Sequence, residues 1–113
     1  DDHIAPWRQC YRIRKYVNVK APVRFVLSSS GHILGIVNPP VNPPKRNFWV
    51  GEPERNEHFE HWFDRAEQKP GSWWDDWVTW LRPQCGAMVA PLSPASSDYP
   101  ALAPAPGTYV HEK

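Results

Sequence analysis

The chain has 113 residues, with 13 Lys+Arg against 12 Asp+Glu and a formal charge of +1, a balance that argues against nucleic-acid binding on charge alone. No apolar run approaches the ~18 residues of a membrane span, and no charged-then-apolar leader opens the sequence, so a cytoplasmic protein is the default expectation. Its two cysteines, Cys10 and Cys85, stand far apart and make neither a disulfide framework nor a CxxC pair.

In chain order, Asp1-Asp2-His3-Ile4-Ala5 is an acidic loop and Pro6 suits a first helical turn. Trp7, Cys10 and Tyr11 then recur at helical spacing, which predicts a helix from about Pro6 to Tyr16. Arg8, Arg12 and Lys15 share one face of it. That face reads as solvated, with attraction of the phosphates of a nucleotide-bearing substrate as the alternative. Val23 to Leu27 has the β-branched and aromatic content of a buried strand, followed by a turn over Ser28 to Gly31 and then His32. A parallel strand of this kind is left without a partner in the chain, and a lone strand needs neighbours. Ile33 to Val37 reads as a second short strand, stopped by Asn38-Pro39-Pro40, with Pro43-Pro44 repeating the block as a stiff extended loop.

Phe48-Trp49-Val50 re-enters the packed part. Pro53 is predicted to start a second helix, with Phe59, Trp62, Phe63 and Ala66 as its apolar face, ending at Lys69-Pro70-Gly71. Ser72 is an N-cap for a third helix, with Asp75 three residues on. Trp73, Trp77, Trp80 and Leu81 line one side of it until Pro83. From Pro83 to Pro106 six prolines interleave with Ala, Ser and Leu, so an extended tail is expected, anchored by Tyr99, Leu102, Tyr109 and Val110.

The chemistry sits in Asp2 and His32. A histidine just past a strand is where an α/β-hydrolase keeps its general base, and the acid precedes it in the order Asp…His that this fold uses after its nucleophile. An imidazole with a pKa near 6.5 can take a proton from a thiol or hydroxyl at neutral pH and return it. A carboxylate on its other nitrogen fixes the tautomer. An Asp and a His thirty residues apart occur in most proteins; the strand followed by Ser29-Ser30-Gly31-His32 gives the pair its context. His58 and His61 share a helical face as a possible metal pair, but without a third ligand exposed histidines are the simpler reading. His3 is either a neighbour supporting the acid or a plain loop residue, and His111 reads as surface. The tryptophan cluster reads as core or interface, with an aromatic ligand platform as the alternative.

Taken as an ordered series, these segments resemble the C-terminal part of polyhydroxyalkanoate synthases, most like class I. The series consists of Asp2-His3-Ile4-Ala5-Pro6-Trp7, Pro22 to Leu27, Ser30-Gly31-His32-Ile33 with Asn38-Pro39-Pro40, Gly71 to Trp77 with Trp80-Leu81, and Ala105-Pro106-Gly107-Thr108-Tyr109-Val110. The resemblance implies an α/β fold in which residues 1–82 are the C-terminal part of an α/β-hydrolase catalytic domain (last strands, acid and base loops, C-terminal helices) and 83–113 a Pro-rich tail. It implies a cysteine nucleophile upstream of residue 1, on a Gly-x-Cys-x-Gly elbow, with Asp2 and His32 completing a Cys-Asp-His triad. Asp1 is the alternative acid if the loop register differs by one. Neither Cys10 nor Cys85 has elbow context.

The implied activity is polymerisation of (R)-3-hydroxyacyl-coenzyme A into polyester. Coenzyme A is then a product rather than a cofactor, no metal is used, and the isolated chain is inactive. Implied partners are the growing polyester chain, a second copy in a homodimer, and granule-associated proteins, at the surface of polyhydroxyalkanoate granules in the cytoplasm, with neither nucleic acid nor a membrane span. Two departures from the family pattern stand out: Asp75 where many members carry proline, and a longer connection over residues 15–20. The rival readings are another α/β-hydrolase, an esterase or polyester depolymerase with a serine elbow, and a non-catalytic module displaying Trp73 to Trp80.

Overall fold

The computed structural model describes residues 2–18 and 20–112. Among these the chain order is α1 (Trp7–Cys10), a 3-10 turn (Tyr11–Lys15), β1 (Phe25–Ser28), α2 (His32–Ile36), β2 (Asn47–Gly51), α3 (Phe59–Arg65), β3 (Glu67–Pro70) and α4 (Trp73–Leu81). The helix expected over Pro6–Tyr16 is realised as α1 running into the 3-10 turn.

The three strands form one antiparallel sheet in the order β1-β2-β3. The reading of the first strand as lone and parallel is therefore corrected. Its partner within the chain is β2, with Phe25 opposite Gly51 and Leu27 opposite Trp49. Two features hid this sheet. Phe48-Trp49-Val50 is short, and Glu67-Gln68-Lys69-Pro70, opposite it, carries no apolar alternation because β3 is an exposed edge.

Directly opposed residues share a face of the sheet. One face therefore presents Phe25, Leu27, Trp49 and Gly51 to α1 and α3. There Trp62 is completely buried, with its ring 5.0 Å from Phe25, 5.6 Å from Tyr11 and 6.1 Å from Trp7. Gly51 makes this approach possible: a Cβ at that position would lie 3.1 Å from Trp62 Nε1. Phe48 and Val50 are buried on the opposite face, the side on which Gly35 of α2 approaches Ser28.

Two further boundaries differ from expectation. Ile33 to Ile36 is helical rather than a strand, and Val37 ends the helix. A run of five apolar residues has no period that separates the two states, and here the chain closes Gly35 N–H on Gly31 O at 2.6 Å and Val37 N–H on Ile33 O at 2.8 Å. The second helix begins at Phe59, not Pro53, because Asn56 sits at φ 67, in the left-handed region that interrupts a right-handed helix. It ends at Arg65, since Ala66 turns extended (ψ 138) and feeds β3. The third helix follows expectation: Ser72 Oγ accepts the N–H of Trp74 at 3.0 Å, and α4 runs until the Pro83 turn.

Beyond Gln84 the described residues contain no helix or strand until a 3-10 turn at Tyr109–His111. The expected anchors are not buried: Tyr99 is 81% and Leu102 96% exposed, and Tyr109 and Val110 are exposed as well. The prolines keep the tail extended but give it no apolar face to insert.

Candidate active site

Asp2 is held by its own loop. Its Oδ1 accepts the N–H of Ile4 at 2.8 Å and of Ala5 at 3.0 Å, a local turn that precedes α1 and leaves Oδ2 to face outward. Oδ2 meets His32 Nδ1 at 2.9 Å, across thirty residues of sequence. The Ala5 N–H, together with the contacts to His32 and Ile4, lowers the Asp2 carboxyl to about 2, so it is ionised at neutral pH. A carboxylate at Nδ1 selects the tautomer that carries its proton there. The Nε2 lone pair is then free to accept a proton from another group.

His32 is the first residue of α2 rather than a loop residue, and its side chain is about half exposed. The helix that carries it is held from two sides. Arg46, which immediately precedes β2, donates through Nη1 to Ser30 Oγ and to Leu34 O at 3.3 Å. From α4, the indole N–H groups of Trp73 and Trp74 donate to Gly35 O and Ile36 O, each at 2.8 Å, and Ser72 Oγ donates to Asn38 O. Sequence reasoning found the tryptophans as an apolar stripe and missed these polar ends, and Arg46 escaped it altogether. A side chain that bonds a distant backbone carbonyl leaves no periodic signal.

Asp2 and His32 both border a cleft of about 600 Å³ whose other walls include Phe25, Leu27, Ile36, Trp73 and Trp77. Arg24, just before β1, pairs with Asp76 of α4 in the same wall through contacts of 2.6 and 3.0 Å. Cys10 also borders the cleft, at the C-terminal end of α1, and lacks the strand-turn-helix setting of a nucleophile elbow. Cys85 is an exposed free thiol. The alternative acid Asp1 lies outside the described residues.

The remaining histidines make no hydrogen bond to this pair among the described residues. His3 is exposed. The rings of His58 and His61 are 6.2 Å apart, with His58 lying 4.1 Å from the Phe59 ring. Among the described residues no group of three or more His, Cys, Asp or Glu side chains is placed to hold a metal ion. No helix among them is long and apolar enough to cross a membrane. His111 closes the exposed C-terminal turn.

No protein-family model matches the chain. Individual curated proteins do. The chain is 40% identical over 113 residues to the poly(3-hydroxyalkanoate) polymerase subunit PhaC of Rhizobium etli, an alignment covering 100% of the chain and 17% of that protein. It is 41% identical over 114 residues to the subunit of the same name from Cupriavidus necator, covering 100% of the chain and 19% of the relative. With the poly(3-hydroxyalkanoate) polymerase of Methylorubrum extorquens it shares 42% over 113 residues, 100% of the chain and 18% of the relative.

Over its whole length the chain is similar to these poly(3-hydroxyalkanoate) polymerases. It corresponds to a C-terminal part of these polymerases, and spans about a fifth of the length of the relatives it matches. Among the described residues Asp2 and His32 meet at one cleft, and neither Cys10 nor Cys85 stands on a strand-turn-helix elbow.

Proposed function

We propose that this segment supplies the general base and its orienting acid to a polyhydroxyalkanoate synthase, with the nucleophile carried by sequence upstream. The observation that carries the reading is the 2.9 Å contact between His32 Nδ1 and Asp2 Oδ2 at the edge of an apolar cleft.

In this reading His32 Nε2 takes the proton of an upstream cysteine thiol. The thiolate attacks the carbonyl carbon of an (R)-3-hydroxyacyl-coenzyme A thioester, the C–S bond to coenzyme A breaks, and the imidazolium returns its proton to the leaving thiolate. An acyl-enzyme and free coenzyme A result. In the second half His32 takes the proton of the hydroxyl at the end of a growing chain as its oxygen attacks the acyl-enzyme. The ester forms, and the proton passes to the departing cysteine sulfur. Asp2 holds the ring and stabilises the imidazolium at both stages. Coenzyme A enters as part of the substrate, and neither a cofactor nor a metal takes part.

The same reading makes residues 1–82 the closing portion of an α/β-hydrolase domain, and 83–113 a separate Pro-rich tail. Among the described residues β1 pairs on one side only, with β2. Its second edge borders the cleft and carries backbone groups that a further strand would satisfy. In the complete enzyme we place the molecule as a homodimer at the granule surface in the cytoplasm, beside granule-associated proteins.

The test is made in the complete polymerase that carries this segment. His32→Gln should lower polymer formation by orders of magnitude, more than any other single histidine change here. A mild His32→Gln variant beside a severe His58→Gln or His61→Gln would replace this mechanism with a metal-dependent one.

A further inference from the structure

The base sits on a helix that cannot hold itself in place. At five residues α2 is far below the length at which a helix is stable alone, and Ile33, Leu34 and Ile36 are all more than half exposed, so beyond buried Gly35 and the Arg46 contacts to Ser30 and Leu34 O little packing fixes it. Its last carbonyls are the groups an isolated helix end leaves without partners. Two of them, Gly35 O and Ile36 O, receive the indole N–H groups of consecutive residues, Trp73 and Trp74, at 2.8 Å each, Ile36 O also accepting Asn38 N–H at 3.0 Å. Asn38 O, two residues beyond the helix, receives the hydroxyl of Ser72. Three successive residues at the start of α4 thus grip three carbonyls at the end of α2.

We infer that Trp73 and Trp74 are positioning residues for His32: their indole N–H groups set the orientation of α2 and hence the reach of the His32 ring into the cleft. This rests on the assignment of His32 as the base. The grip has a fixed foundation. Ser72 Oγ also accepts Trp74 N–H as the cap of α4, and Asp76, one turn further on, is tied to Arg24 beside β1. Gly35 is buried close to the end of β1, where a Cβ would lie 3.3 Å from Ser30 O and 3.9 Å from Ser28 Cβ. Loss of the N–H groups would let the helix end swing without emptying the aromatic wall. The other end of α2, at His32, would move with it. Displacing a reacting group by about 1 Å costs on the order of a hundredfold in rate.

The experiment uses the complete polymerase with 3-hydroxybutyryl-coenzyme A. Trp73→Phe and Trp74→Phe, singly and together, remove the N–H and keep an aromatic ring. The double variant should lose roughly ten- to a hundredfold in kcat with KM changed less than about twofold, the pattern of a lost transition-state interaction. The same substitutions are then placed in a His32→Ala background, with release of coenzyme A followed in single turnovers supported by added imidazole. There they should cause no further loss, because nothing remains to be positioned.

Wild-type kcat in the Phe variants, or an equal loss in both backgrounds, overturns the positioning role. Full activity of His32→Ala alone would instead remove the base assignment, which separates the two failures. If the double variant does not fold, each single variant is read by the same comparison.

Discussion

Glu57 and Arg65 meet end to end: Oε1 receives Nε and Oε2 receives Nη2, both at 2.6 Å. The same carboxylate accepts the Glu54 N–H at 2.9 Å and the Tyr11 hydroxyl at 3.2 Å, so one side chain joins α3, the loop before it and the turn after α1. The Arg65 guanidinium, with the Glu54 N–H and the Tyr11 hydroxyl, lowers the Glu57 carboxyl from 4.5 to about 2. Burial first, and then the facing Glu57 charge, push the Tyr11 hydroxyl up to about 12.

A depressed carboxyl pKa contributes stability that is complete above the unfolded value and is lost as pH falls through the folded one. The junction of α3 with the Tyr11 turn should therefore loosen between about pH 4.5 and pH 2. Hydrogen exchange of peptides covering residues 53–66 in the complete protein reads this directly. At neutral pH, Glu57→Gln should lower protection there by about 1–2 kcal/mol, the scale of a charge-assisted bond whose arginine is partly exposed. Unchanged exchange would mean that the ion pair is ornamental.

Asp2→Asn should keep the fold and slow turnover, because the amide can still bond the ring yet favours the wrong tautomer. A cysteine partly ionised near neutral pH is already reactive, whereas a hydroxyl attacking the acyl-enzyme needs strong base assistance. Labelled substrate in single turnovers should therefore show acyl-enzyme accumulating in this variant. Since Asp2 titrates near 2, an acid limb of activity between about pH 5 and 7 belongs to a histidine and not to Asp2. Wild-type turnover in Asp2→Asn would move the acid to Asp1.

Gly51→Ala should destabilise the sheet. The new methyl would stand 3.1 Å from the Trp62 indole nitrogen, and Trp62 is wholly buried, so it has no open side to yield toward. Overpacking of this kind costs about 1–3 kcal/mol. Exchange in β1 and β2 should rise together. Unchanged exchange in β1, β2 and α3 alike would show that the Trp62 packing yields to the methyl.

The 113-residue chain expressed alone should release no coenzyme A from 3-hydroxybutyryl-coenzyme A above a His32→Ala control, because the group that forms the covalent intermediate is missing. Its thermal melt should be broad. A sharp cooperative transition would argue that the segment is a self-sufficient module.

What could be read from sequence divides along a physical line. Local signals carried α1, the Ser72 cap, the stop at Pro83 and the first strand, expected over Val23 to Leu27 and found at Phe25–Ser28, because each is written in neighbouring residues. The pairing of β1 with β2 and of β2 with β3 was hidden, since β3 is a charged edge whose strand character comes from its partner. Asn56 shortened the second helix through a backbone conformation that its side chain permits but does not announce. For the candidate site, Asp2 and His32 could be nominated from chemistry and order. Arg46, Ser72 and the indole donors were invisible, because what they bond is backbone brought near only by folding.

The β3 edge also shapes how the chain behaves among its neighbours. Glu67 and Lys69 put both signs of charge along it, with Lys69 Nζ 3.2 Å from Glu67 Oε2, and Pro70 ends it without a donor. A strand so armed is a poor template for another strand. The sheet is therefore sealed on one side, which guards crowded copies of the protein against sticking edge to edge.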